Sequence, residues 1–200
     1  MIGIVDYEAG NIASVSNALS AIDVRFVVSG EPSVLSGCSG IILPGVGAAP
    51  GAMSALTRRG LQEFLPQCNQ PVLGICLGMQ LLFQFSEEGW TPCLGVLPGV
   101  VKRFDEKKQK VPHMGWNEVR YSKQHALMTG IRQTEYFYFA NSYFADPDDS
   151  TIATSCQEGD FVAVVARNNY YGVQFHPEKS GNAGLAVLHN FETLCRSFRQ

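Results

Sequence analysis

Residues 2–85 alternate short apolar runs with stretches of helical period, and this alternation restricts the fold most. Ile2–Asp6 reads as a strand and Glu8-Ala9-Gly10-Asn11 as a turn. Ile12, Val15, Leu19 and Ile22 then recur at three- and four-residue steps, the period of a helix with one buried face. Val24–Val28 and Ile41–Leu43 read as strands, the latter stopped by Pro44-Gly45. Met53, Leu56 and Leu61 to Leu65 suggest a helix ending near Pro66. Pro71–Ile75 is a fourth strand, running into an expected helix over Leu77–Phe85. Strands separated by helices imply parallel pairing, with crossovers covering both faces of the sheet.

The second half has another texture. Val100–Phe104, Trp116–Tyr121, Tyr136–Tyr143, Thr151–Cys156, Phe161–Ala166 and Tyr171–Phe175 read as strands joined by turn-rich links such as Asp146-Pro147-Asp148-Asp149. They suggest an antiparallel meander packed onto the open sheet, with Leu185–Phe198 closing the chain as a helix. The expected class is α/β: a flavodoxin-like open sheet with a parallel core, helices on both faces and antiparallel strands in the C-terminal half. Without a repeat or low-complexity linker, residues 1–200 read as one domain.

Composition narrows the function. Charged residues are 16% of the 200, with 15 Lys plus Arg against 18 Asp plus Glu. That lacks the basic stripe of a nucleic-acid binder. The run Lys107-Lys108-Gln109-Lys110 follows Asp105-Glu106 and reads as a solvated turn. No apolar run approaches the ~18 residues of a membrane span. The start lacks the basic region and cleavage site of a secretory leader. Six scattered cysteines with no C-x-x-C pair suggest free thiols in the cytoplasm, and no His or Cys spacing suggests a metal. No cofactor is expected.

Gly74-Ile75-Cys76-Leu77-Gly78 lies where a buried strand becomes a helix, a nucleophile elbow written with cysteine. The tight turn leaves no room beside Cys76, hence the glycines, and lifts the sulfur above the carboxyl edge of the sheet. The helix start favours a thiolate, and the Leu77 amide points where an oxyanion would form. His176-Pro177-Glu178 follows a strand. In extended chain, residues two apart share a side, so His176 is the candidate base and Glu178 its orienter. Pro44-Gly45-Val46-Gly47 follows the third strand, and its amides near Gly45 or Val46 would complete an oxyanion hole with Leu77. The glycines also make a peptide flip there sterically easy, a candidate switch. Read alone, Cys76 could be a buried apolar thiol, the usual fate of cysteine, and a P-G-x-G loop could be only a turn.

Together these segments resemble the class I, triad-type glutamine amidotransferases. Within that class they are most similar to glutaminase subunits of imidazole glycerol phosphate synthase. Asp6-Tyr7 with Gly10-Asn11, Gly74 to Gln80, Pro112-His113-Met114-Gly115-Trp116-Asn117, Tyr138-Phe139 with Ser142-Tyr143, and Tyr171 to Gly181 carry the likeness across nearly the whole chain. The resemblance implies that L-glutamine is the substrate, held by Gly47, Gln80, Glu88 and the backbone around Ser142 and Tyr143, with Glu88 accepting its ammonium. It also implies a (β/α)8-barrel cyclase as partner, forming a heterodimer through a surface that includes Met114, Trp116, Asn117 and Lys179. Ammonia would pass through that barrel to make imidazole glycerol phosphate and an AICAR nucleotide in histidine biosynthesis.

Two positions depart from the family pattern: Glu8 where Gly is usual, and Asn141 where His is common. They leave open a paralogous subunit feeding a sugar-modifying synthase of surface polysaccharide assembly. The elbow alone also fits a stand-alone cysteine hydrolase, which would not call for Gln80, Glu88 or the His176-Pro177-Glu178 triplet.

Overall fold

The computed structural model describes residues 1–8, 10–157 and 159–198; Ala9, in the expected first turn, lies outside them. The alternating half forms β1 (Ile2–Val5), α1 (Ile12–Ala21), β2 (Phe26–Ser29), α2 (Pro32–Leu35), β3 (Gly40–Leu43), α3 (Ala49–Arg58), α4 (Leu61–Phe64), β4 (Val72–Ile75) and α5 (Leu77–Gln80). The helix expected from Met53 to Leu65 is broken at Gly60, whose φ of 66° gives a left-handed stop between α3 and α4.

The remaining elements are β5 (Phe85–Ser86), β6 (Thr91–Pro92), β7 (Val100–Arg103), β8 (His113–Tyr121), β9 (Thr134–Asn141), β10 (Tyr143–Ala145), β11 (Thr151–Cys156), β12 (Asp160–Arg167), β13 (Tyr170–Val173) and α6 (Gly181–Ser197). The main sheet runs β2-β1-β3-β4-β13-β12-β11-β8-β9, parallel through β13 and antiparallel beyond it. The expected meander therefore does not pack onto the sheet. It continues the sheet edge to edge, because β13 pairs parallel with β4 and antiparallel with β12 and joins the two halves. A smaller sheet, β10-β7-β5-β6, stands apart.

Alternation along each central strand feeds two cores. Ile2, Ile4, Leu73 and Ile75 pack with Val15 and Leu19 of α1 and Val187, Leu188 and Phe191 of α6. Val5, Ile41, Leu43 and Val72 pack with Met53 and Leu56 of α3 and with Met79. Helices therefore cover both faces, as the sequence predicts. The topology places the ends of β3, β4 and β13, three adjacent parallel strands, at one carboxyl edge, where open α/β sheets bind ligands.

Two expected elements differ. The helix after Cys76 is one turn, not Leu77–Phe85. After Gln80 the chain tightens, the Leu82 and Phe83 amides bonding the Met79 and Gln80 carbonyls three residues back, and the Leu81 carbonyl that a longer helix would offer to Phe85 accepts the Leu94 amide. The expected strand Tyr136–Tyr143 is two strands in two sheets, bent at Ser142 between β9 and β10.

Candidate active site at the carboxyl edge

Cys76 joins β4 to α5 with φ 53° and ψ −111°, a conformation costly for a residue with a side chain. Packing enforces it. A Cβ at Gly74 would lie 2.6 Å from the Gly78 carbonyl oxygen, and one at Gly78 only 1.9 Å from the Leu43 carbonyl oxygen. The Cys76 amide is also tied to the Val173 carbonyl at 2.8 Å, fixing the elbow against β13. With α5 only one turn long, a macrodipole contributes little. What the short helix offers next to Cys76 is its first-turn amides, Leu77 among them, which have no partner within the helix.

His176 and Glu178 meet at 2.8 Å, Nδ1 to Oε1, with side chains 4% and 1% exposed. The two side chains meet, but not by the alternation of extended chain. Residues Pro177–Lys179 form a 3-10 turn, not extended chain, and the turn folds the carboxylate back onto the ring. Ser180 clamps this turn: its hydroxyl donates to the His176 carbonyl at 2.7 Å and accepts the Tyr138 amide at 2.9 Å. Burial alone would push the His176 imidazolium down. Hydrogen bonds to Cys76 and Glu178, and their negative charges, outweigh it and lift the pKa to about 10. Asn11 reaches Glu178 Oε1 at 3.5 Å, while the buried Oε2 has no hydrogen-bond partner among the described residues.

The Pro44–Gly47 loop lies directly on the elbow: a Cβ at Gly45 would sit 2.5 Å from the Gly78 nitrogen. Tyr7, fully buried, donates its hydroxyl to the Pro44 carbonyl at 2.7 Å and holds the loop's start. Burial and the negative charge at Cys76 push the Tyr7 phenol well up, so it stays a donor. Glu88 Oε2 accepts the Ala49 amide at 2.7 Å and holds the loop's end. Val46 and Gly47 between them are exposed, and Gly47 has a left-handed φ of 99°.

Gln80 is buried, and its amide nitrogen donates to the Tyr143 carbonyl at 2.9 Å and to Gln174 Oε1 at 3.0 Å. Asn141 donates to the same carbonyl at 2.9 Å, and the Ser142 carbonyl accepts the Phe104 amide at 3.0 Å. The Ser142–Tyr143 corner is thus fixed by the side chains that surround it. Met114 (65% exposed) and Trp116 (57%) stand outward on β8. Trp116 packs edge-on to Tyr138, whose ring carries the Lys179 ammonium 5.7 Å from its centroid. Asn117 donates to the Cys156 carbonyl at 2.9 Å.

Sequence reasoning gave no role to Tyr7, Gln174 or Ser180. Gln174 did carry a signal, a polar side chain in the otherwise apolar run Val173–Phe175. Tyr7 and Ser180 stood only within the segments that carry the family likeness, with nothing in their own setting to give them a role.

The pattern has named relatives. The family model for class I glutamine amidotransferases matches residues 4–193. The chain belongs to the class I glutamine amidotransferases. It is 43% identical over 195 residues to imidazole glycerol phosphate synthase subunit HisH 2 of Legionella pneumophila (strain Lens), covering 97% of this chain and 98% of that protein. It is 45% identical over 206 residues to subunit HisH of Thiobacillus denitrificans, covering 96% and 90%. Among solved structures, PurLQS of Thermotoga maritima matches with a TM-score of 0.74 at 19% identity, covering 96% of this chain and 97% of that one. The glutaminase domain of Trypanosoma brucei CTPS gives 0.65 at 18%, covering 96% and 93%. At those identities the structural matches establish the amidotransferase fold alone.

Glu8 holds φ 67°, the left-handed region a glycine enters freely, and pairs with Arg59 at 2.9 Å and Arg58 at 3.8 Å. Asn141, the other departure, is built into the Tyr143 corner. No helix among the described residues is long and apolar enough to cross a membrane.

Proposed function

We propose that this amidotransferase hydrolyses L-glutamine to glutamate and ammonia, with Cys76, His176 and Glu178 as its triad. The ammonia serves an imidazole glycerol phosphate synthase in histidine biosynthesis. The observation that carries the chemistry is the buried His176–Glu178 pair, 2.8 Å apart, at the same carboxyl edge as the strained Cys76 elbow. With its pKa lifted to about 10, His176 already holds the Cys76 proton at neutral pH, and the resulting thiolate attacks the side-chain amide carbon of glutamine. Amides of Leu77 and of the Gly45–Val46 loop stabilise the oxyanion. The tetrahedral intermediate collapses, the C–N bond breaks, and His176 returns its proton to the departing ammonia. Water, activated by His176, then cleaves the thioester to glutamate. Glu178 holds the ring tautomer and the imidazolium charge.

Gly47, Gln80, Glu88, Ser142 and Tyr143 are proposed to surround the substrate. Gln80 does so indirectly, through the Tyr143 carbonyl, since that carbonyl and Gln174 already take its amide nitrogen. Glu88 has one oxygen on Ala49. Its other oxygen would take the glutamine ammonium, so substrate would pull on the loop that carries the oxyanion donors.

The partner is a (β/α)8-barrel cyclase that converts the ammonia and a phosphoribulosyl-formimino-AICAR phosphate into imidazole glycerol phosphate and an AICAR nucleotide. It would dock on Met114, Trp116, Asn117 and Lys179. Two large apolar side chains exposed on β8 support this, since such groups mark interfaces, and Trp116 packs on Tyr138, whose carbonyl accepts the His176 amide. The whole chain is read as one amidotransferase domain in the cytoplasm, a setting that suits six scattered cysteines with no C-x-x-C pair.

The test is glutamate release from glutamine by the chain alone, with the cyclase, and with cyclase plus its nucleotide ligand. Strong release only in the last mixture supports the reading. Release that the cyclase leaves unchanged, or that survives Cys76→Ala, overturns it.

A further inference from the structure

A buried amide chain ends on the nucleophile. Gln174 has no solvent-exposed surface, and its Nε2 lies 3.8 Å from the Cys76 sulfur. Its Oε1 accepts from Gln80 at 3.0 Å, and Gln80 donates also to the Tyr143 carbonyl at 2.9 Å. This chain has one polarity. A backbone carbonyl can only accept, so Gln80 must present its NH2 group to Tyr143. That places the NH2 within reach of Gln174, which must answer with its oxygen. The Gln174 NH2 is therefore turned to the sulfur. Asn141, donating to the same carbonyl at 2.9 Å, holds the anchor in place.

We propose that Gln174 stabilises the Cys76 thiolate as a second hydrogen-bond donor beside His176, and that Gln80 and the Tyr143 carbonyl position it for this. The inference rests on the reading of Cys76 as nucleophile. Two observations support it besides the contact itself. Burying a primary amide just past the end of β13 costs free energy that an apolar side chain of the same size would not, so the fold alone gives no reason for it. The sulfur also has an acceptor, the Ala140 carbonyl at 3.9 Å. The thiol thus has an acceptor to donate to and the thiolate has donors to accept from, and the proton can leave without any side chain changing place. The arrangement also links the Tyr143 corner, where substrate is proposed to bind, to the attacking atom through three hydrogen bonds. The titratable groups facing the sulfur are His176, backed by Glu178, and Tyr7.

Gln174→Met removes the donor at similar length, and Gln174→Glu keeps an oxygen for Gln80 while setting a carboxylate against the sulfur. Both are assayed by cyclase-stimulated glutaminase kinetics and by iodoacetamide alkylation of Cys76 at neutral pH. Met is expected to lower kcat about tenfold to a hundredfold, the range for a hydrogen bond to a charged group. KM should stay within about twofold, and alkylation should slow in step. Glu is expected to lower both rates further. If either folded variant keeps wild-type kcat and alkylation, or loses only KM, the inference is overturned. Glutaminase activity in Cys76→Ala would instead overturn the nucleophile reading, a separable result.

Discussion

Gly78→Ala tests how the elbow and the oxyanion loop depend on each other. The added Cβ would lie 1.9 Å from the Leu43 oxygen and 2.8 Å from its carbon. Ordinary contact begins near 3.4 Å, so β3 and the elbow must separate by about 1.5 Å. Both are backbone, and neither can swing aside as a side chain would. The same separation lifts the Pro44–Gly47 loop from the elbow, because Gly45 packs on the Gly78 nitrogen. A misplacement of about 1 Å can cost ~100-fold in rate, and losing an oxyanion donor costs ~100- to 1000-fold. Overpacking should also destabilise the fold by about 1–3 kcal/mol. Cyclase-stimulated glutamate release is therefore expected to fall at least about 100-fold, with a lower urea midpoint. Gly51→Ala is the control. Nothing lies within 4 Å of its added Cβ, and Gly51 sits in α3. It should keep full activity and gain up to about 1 kcal/mol. Wild-type kcat in Gly78→Ala would refute the steric account of the elbow.

Tyr7→Phe leaves the Pro44 carbonyl without its donor in a buried site. It should cost about 1–3 kcal/mol in denaturant unfolding and lower kcat through a looser loop; unchanged stability would show that the bond is idle. His176, raised to about 10 from an ordinary ~6.5, stabilises the fold in full below about 6.5; the contribution declines across that window and is gone above about 10. Glu178→Gln should lower that pKa and narrow the window, followed by ring chemical shifts against pH; a neutral wild-type ring at pH ~7 would contradict it. Trp116→Ala should weaken cyclase binding by about 1–4 kcal/mol in titration calorimetry while leaving unfolding unchanged; wild-type affinity would move the interface elsewhere.

What could be read in advance follows from how local its cause is. Gly74, Cys76 and Gly78 were legible because the demand for small neighbours is met within five residues. His176 and Glu178 were legible as a pair, yet the turn that joins them depends on Ser180 bonding to β9, which strand alternation could not foresee. Leu81, Leu82 and Phe83 looked helical because they are apolar in sequence. They are buried all round, and amides of residues 94–97 capture their carbonyls. The amides of Gln80 and Gln174, 94 residues apart, meet only in the folded chain. Trp116 and Met114 shared the composition of a core, and only the antiparallel extension of the sheet leaves them outside.

The central claim is a covalent glutamyl thioester at Cys76, and the most direct measurement is its capture. The cyclase-bound enzyme would be acid-quenched during turnover with glutamine, digested and mapped by mass spectrometry. The account predicts a glutamyl adduct on the peptide carrying Cys76, lost when Cys76 is replaced by Ala. Turnover with no adduct on Cys76, or with the adduct on another residue, would contradict it.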